Sequence, residues 1–216
     1  MDFLSLHEKV IEHNNFSHFL LNKFEYKEID LGKRATYSVE SNEFIIIMGG
    51  LLVKENCNRI SKIRQYSFNL EGGFIFNLED DETCYLDNIK DGRIAVLDKN
   101  MIFDMLEKDG LLVHLFLEQY LKAEEDMDFL KLHFLNSNKR IIHSMLQISR
   151  LNQQAFKLPH LIFPKEIKLT NLAKYCNCNR VTVSRLLSKL KNENYIFVEE
   201  EGLMIPEESI SDLLDM

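Results

Sequence analysis

Two cysteines one residue apart, Cys176 and Cys178, are followed by two arginines, Arg180 and Arg185, in the stretch LAKYCNCNRVTVSRLLSKLK at 172–191. Closely spaced thiols can hold a metal or cycle between redox states, whereas guanidinium groups on a helix can read nucleic acid. A structural zinc site takes about four ligands, usually in pairs with roughly two to four residues between them. Here a single residue intervenes, and the nearest histidines, His143 and His160, have no matching spacing. Periodicity puts Cys176 on an apolar helix face and Cys178 in a tight turn, where small apolar side chains are favoured. No metal site is predicted. A redox or small-molecule sensor using Cys57, Cys84, Cys176 or Cys178, with DNA binding secondary, is the alternative reading.

The arginines fit a helix-turn-helix better. Leu172, Ala173 and Cys176 share one side of a first helix, and the small Ala173 lets a second helix cross closely. Asn177 stands where such turns usually carry glycine, and asparagine is among the few other residues that tolerate positive φ. Asn179 can cap the second helix. There Val183, Leu186, Leu187 and Leu190 form a buried stripe, while Arg180, Val181, Ser184, Arg185, Ser188 and Lys189 point away. Two arginines near a helix N-terminus suit the DNA major groove, where arginine bonds guanine O6 and N7. Hydroxyls such as Thr182 suit phosphate oxygens. The following NYIFVEEEGLMIP reads as a β-hairpin around Glu-Gly, which makes the module a winged helix-turn-helix. The tail EESISDLLDM adds at most a helical turn.

Further upstream, other elements must carry this module. Apolar residues at helical spacing between 3 and 24 predict short helices. From Tyr26 to Asp98 the texture is β: YKEIDL, ATYSVE, EFIIIMGGLLVKEN, RISKIRQYSFNL, GGFIF, TCYLDNI and GRIAVLDK are punctuated by Gly, Asn and Asp. They predict an antiparallel sandwich or roll. A short helix at 99–109 stops at Gly110. A long one, roughly 111–135, carries Val113, Phe116, Tyr120, Ala123, Met127, Leu130 and Phe134 at alternating steps of three and four. This seam predicts a homodimer, with a second stripe (Leu117, Leu121, Leu132) that lets one side cover the β elements. Another helix follows, with Ser137 or Asn138 as its N-cap, and KLPHLIFPKEIK reads as a loop. The domains are then 1–109 for the roll, 110–136 for the dimerisation helix and 137–216 for the winged module.

Charge agrees with two kinds of domain. Between 137 and 198 eleven Lys or Arg oppose two Glu, a local +9 that leaves −17 elsewhere in a chain of net −8. No apolar run approaches the roughly 20 residues of a membrane span, and the start lacks a basic-then-apolar leader. Four cysteines fit free thiols, so the reading is cytoplasmic with no membrane partner. No Ser/His/Asp order with a nucleophile elbow, phosphate-binding glycine loop or paired histidines is present, so no enzyme is predicted.

The segment IKLTNLAKYCNCNRVTVSRLLSKLKNENYIF, with the order of parts before it, resembles the Crp/Fnr family of bacterial transcription regulators. The resemblance implies an α+β fold: an N-terminal antiparallel β-roll (a jelly-roll-like double-stranded β-helix), a long dimerisation helix and a C-terminal winged helix-turn-helix. IIIMGGLLVKEN looks like the family's strand-Gly-strand turn, and NLEGGFI like the glycine turn before the effector pocket. Implied partners are double-stranded DNA, a second copy of the chain and RNA polymerase. Implied DNA contacts are Thr170, Asn171, Arg180, Val181, Thr182, Ser184, Arg185 and Lys189. The family's recognition helix carries Glu where Val181 stands, so the operator is expected to differ there, valine suiting a thymine methyl. The family's cyclic-nucleotide sites carry an arginine for the phosphate. None lies between Arg64 and Arg93, and Glu79, Asp80, Asp81 and Glu82 would repel an anion, so control by cyclic AMP or GMP is not expected. No cysteine precedes Cys57 to ligate an iron–sulfur cluster, and His7, His13 and His18 read as surface or capping residues rather than haem ligands. No cofactor is predicted, and the effector stays unassigned.

Overall fold

In the computed structural model of the chain, the described residues are 16–33, 35–58, 60, 62, 64–77, 82–117, 119–120 and 134–216. The backbone divides into two units, Met1–Glu124 and Glu125–Met216. The first runs α1 (Phe16–Lys23), β1 (Lys27–Asp30), β2 (Thr36–Val39), β3 (Glu43–Asn58), β4 (Arg64–Asn69), β5 (Phe74–Phe76), β6 (Glu82–Asp98) and α2 (Lys99–Lys108). Helical backbone resumes at 112–117 and 119–120.

β3 and β6 are the spine of the roll. They pair antiparallel from Glu43↔Asp98 to Asn58↔Glu82, with register shifts between Ile47 and Leu52. On one side of the shifts β1 joins β6 and β5 joins β3; on the other β2 joins β6 and β4 joins β3. All these pairings are antiparallel. The sequence breaks IMGGLL and NIKDGR therefore are not turns between strands. Each is an irregularity within one long strand, against the strand-Gly-strand turn and the separate TCYLDNI and GRIAVLDK expected. Gly50 has φ +87 and Asp91 φ +50, so both strands take up the irregularity with left-handed residues.

A buried amide holds this bend. Asn88 Nδ2 donates to the carbonyls of Leu31 (2.6 Å) and Gly32 (3.0 Å), while its Oδ1 accepts from Gly92 N at 3.1 Å. Where Phe44–Ile47 pair with Ile94–Leu97 both sheet faces are covered, whereas beyond the bend only the inner face is, and Tyr85 stands exposed. Ile45, Ile47, Leu52, Cys84, Leu86 and Ile94 point into the roll. Phe44, Ile46, Ala95 and Leu97 point out, against Phe16 and Leu20 of α1, Ile102 and Leu106 of α2, and Leu111 and Leu115. Two-sided burial explains why EFIII is a continuous apolar run with no polar alternation. Asp98 caps α2 by accepting from Met101 N at 2.9 Å, and Gly110 ends it with φ +69.

The second unit runs α3 (Ser137–Phe156), β7 (Leu161–Pro164), α4 (Leu169–Tyr175), α5 (Arg180–Asn192), β8 (Phe197–Glu199), β9 (Gly202–Ile205) and α6 (Ser209–Asp215). The cap of α3 is Asn136, extended and accepting from Lys139 N at 2.9 Å, one residue before the expected Ser137 or Asn138. The stretch read as a loop contains β7, which pairs with β9 in a sheet of order β7-β9-β8. Its two prolines misdirected the reading: Pro164 is the last residue of an edge strand, where the missing N–H costs no ladder bond. Asn152 Nδ2 donates to Ile162 O at 2.8 Å and ties α3 to that strand. No described helix is long and apolar enough to cross a membrane.

A β-carbon at Gly50 would run into the carbonyls of Lys90 and Asp91, at a φ that side chains rarely adopt. Gly50→Ala is expected to cost about 2–4 kcal/mol. Urea unfolding monitored by circular dichroism should show a lower midpoint at unchanged slope.

Candidate nucleic-acid interface

The recognition element is built from short pieces with specific junctions. α4 ends at Cys176, whose backbone N–H donates to Leu172 O at 2.9 Å. Asn177 then takes φ +46, the left-handed conformation expected of it. Cys178 N donates back to Ala173 O at 2.8 Å and closes the turn. Asn179 is extended, and its side chain accepts from Val181 N at 2.8 Å, capping α5 as the sequence indicates.

Behind the turn lies a dry seam. Leu172, Ala173 and Cys176 of the first helix are buried, as are Val183, Leu186, Leu187 and Leu190 of α5. Each hidden residue forces its neighbours along α5 outward: Arg180, Arg185, Ser188 and Lys189 are exposed, and Thr182 and Ser184 half-buried. Val181 is 53 % exposed, so its side chain stands on the outer face of α5 beside the arginines. Lys189 Nζ lies 3.9 Å from Glu193 of the next turn, an exposed pair of little strength. Thr170 is exposed and Asn171 half-buried at the start of α4. All eight predicted contact residues thus fall in one helix-turn-helix, and neither arginine is drawn inward.

An open groove of about 720 Å³ runs beside them, which the sequence did not reveal. Lys165, Lys168, Thr170 and Arg180 line it from the helix side, and Val198, Glu199 and Glu200 from the hairpin. Its floor is apolar, with Phe163, Ile167 and Leu187. The missed signal was β7: once LIFP is a strand, Lys165 and Lys168 follow directly at the root of α4.

The thiols do not converge on a site. Cys176 is buried, and burial pushes its pKa up to about 12. Cys178 is half-buried, its sulfur 3.3 Å from the Cys176 carbonyl oxygen. Cys84 is buried inside the roll and Cys57 half-buried, one residue out of register across β3 and β6. All four are free thiols. Among the described residues, no group of three or more His, Cys, Asp or Glu could hold a metal.

Of the seam residues, Val113 (71 %), Phe116 (49 %) and Tyr120 (60 %) are exposed, as is Phe134. Ala123, Met127 and Leu130 lie outside the described residues, as do His7, His13 and 79–81. Leu111, Leu112 and Leu115 pack on the roll, while Leu117, of the second stripe, is exposed with the seam.

The family profile described as bacterial regulatory proteins, crp family, matches residues 168–196. Among solved structures, FixK2 from Bradyrhizobium japonicum aligns with TM-score 0.68 at 15 % identity, over 88 % of this chain and 98 % of that one. A protein described as a transcriptional regulator of the crp/fnr family from Eubacterium rectale aligns with TM-score 0.67 at 10 % identity, over 93 % and 94 %. The c-di-GMP responsive global regulator CLP of Xanthomonas campestris gives 0.62 at 13 %, over 83 % and 93 %. Comparison with curated protein sequences found no match. At these identities the structural likeness speaks for the fold, and the profile match for the helix-turn-helix.

Because burial disfavours its thiolate, Cys176 should stay a neutral thiol in the native protein well above pH 9. Its folded pKa exceeds the unfolded value near 9, so the stability tied to it is complete below about pH 9 and lost as pH rises towards about 12. In a thiol titration at pH 8–9, Cys176 should react only after denaturant is added, while Cys178 reacts in the native state.

Proposed function

We propose that this chain is a transcription regulator of the Crp/Fnr family that binds an inverted-repeat operator as a homodimer without cyclic AMP. The observation that carries the reading is the outer face of α5: Arg180, Val181 and Arg185 exposed on a helix whose start is fixed by the Asn179 cap. Inserted N-terminus first into the major groove, this face offers Arg185 to guanine and Val181 to a thymine methyl. Ser184 is assigned with Arg185 to base contacts, and Thr170, Asn171, Thr182 and Lys189 to the flanking backbone. The exposed apolar strip Val113, Phe116 and Tyr120 supports pairing with a second copy.

Selection from random duplex DNA by the purified protein at about 150 mM salt tests this, since non-specific phosphate binding is weak there. Enrichment of an inverted repeat with half-sites roughly 34 Å apart is expected without any added ligand. Failure to enrich a sequence, with or without host extract, would refute the reading. Arg185→Ala should lose about 1–3 kcal/mol of discrimination at one base pair of each half-site and leave the others unchanged. Phe116→Glu brings like charges together across the two-fold axis and should give monomers by light scattering, with operator binding falling in step.

A further inference from the structure

The groove beside the recognition helix has walls of opposite charge. Lys168, with no side-chain role in capping α4, and Arg180, first residue of α5, stand exposed on the helix side. Lys165 Nζ is engaged with the carbonyl of Glu200 at 3.0 Å and braces the hairpin against the root of α4. Across from them stand Glu199 and Glu200, both exposed, and neither forms an ion pair among the described residues. From Phe197 to Ile205 the hairpin carries three Glu and no Lys or Arg. Its outer strand β8 is exposed along its whole length.

A nucleic-acid backbone entering this groove is attracted by one wall and repelled by the other. The apolar floor suits deoxyribose. We propose that the hairpin is an electrostatic stop: Glu199 and Glu200 keep the phosphates off the wing, so that the strand is held from the Lys168–Arg180 wall alone. Affinity is thereby kept below what a neutral wing would give, and binding leans on the base contacts of α5. This inference rests on the DNA-binding reading above.

The test compares Glu199→Gln/Glu200→Gln with Glu207→Gln/Glu208→Gln, an equal charge change at exposed positions that do not line the groove. Affinities are measured for the duplex enriched by selection and for a duplex of unrelated sequence, across a salt series. The groove pair should tighten binding roughly three- to tenfold at about 0.1 M salt, with a gain that shrinks as screening rises. The control pair should change it less than about twofold. Lys168→Gln should weaken binding to both duplexes and lower the salt slope by about one. An unchanged affinity for the groove pair, or a gain matched by the control pair, overturns the stop. Either result leaves the regulator reading intact, which only the absence of an enriched sequence would refute. Circular dichroism of each variant guards against misfolding.

Discussion

The placement of α5 depends on one turn of three residues. Asn177 must reverse the chain in a left-handed conformation, Cys178 must return its N–H to Ala173, and Asn179 must stop short of helical angles so that its side chain meets Val181 N. Each satisfies a different demand, and together they fix both the direction and the rotation of α5. Rotation matters most. An α-helix advances about 100° per residue, so a register error of one residue would bury Arg185 and expose Leu186. The stripe Val183, Leu186, Leu187 and Leu190 makes such an error costly, because each exposed side chain would forfeit about 1.5–3 kcal/mol. The apolar seam therefore aims the polar face.

The roll obeys a different constraint. Its two central strands are buried on both faces where Phe44–Ile47 pair with Ile94–Leu97, so they are apolar there, and long antiparallel strands tend to stay a single sheet. The irregularity at Gly49–Gly50 and Asp91–Gly92 bends both strands at one level and lets the halves face each other. That bend leaves backbone groups out of register, and the Asn88 amide takes up three of them. A buried asparagine is tolerated where it is satisfied, and here it replaces the ladder bonds that the bend removes. The interior that results holds Ile45, Ile47, Leu52, Ile75, Leu86 and Ile94, all apolar.

Local signals were the legible ones. Asn177 and Asn179 could be assigned because their chemistry permits little else at those positions, and Gly110 likewise. The buried stripe of α5 follows from period alone. Less visible was anything decided by pairing at a distance. GG and DG look like hairpin turns in isolation, and only the partner strand turns them into a bend within a strand. LIFP between prolines looks like a loop, and only β9 makes it a strand. The groove was hidden for the same reason, since it is a surface between β7, β8 and the helix starts. The seam at 113–134 was legible as a period, but period does not say which side faces home: Leu111 and Leu115, not Leu117, turned out to cover the roll.

For an acidic chain proposed to bind DNA, the placement of its charge matters more than a positive total. The segment 137–198 carries +9, but 199–216 adds seven acidic residues and no basic ones. Residues 137–216 together are therefore only +2. Such a weak net charge gives little attraction at long range, and at physiological salt the field reaches only about 8 Å. Within that range the arrangement decides. A DNA backbone near α4 and the start of α5 meets Lys168, Arg180 and Arg185; one near the hairpin meets Glu199, Glu200 and Glu201. The module behaves as a dipole more than as a cation, and a dipole selects orientation. If the module binds DNA as proposed, approaches with the hairpin leading would be disfavoured and the encounters that persist would be those in which α5 leads.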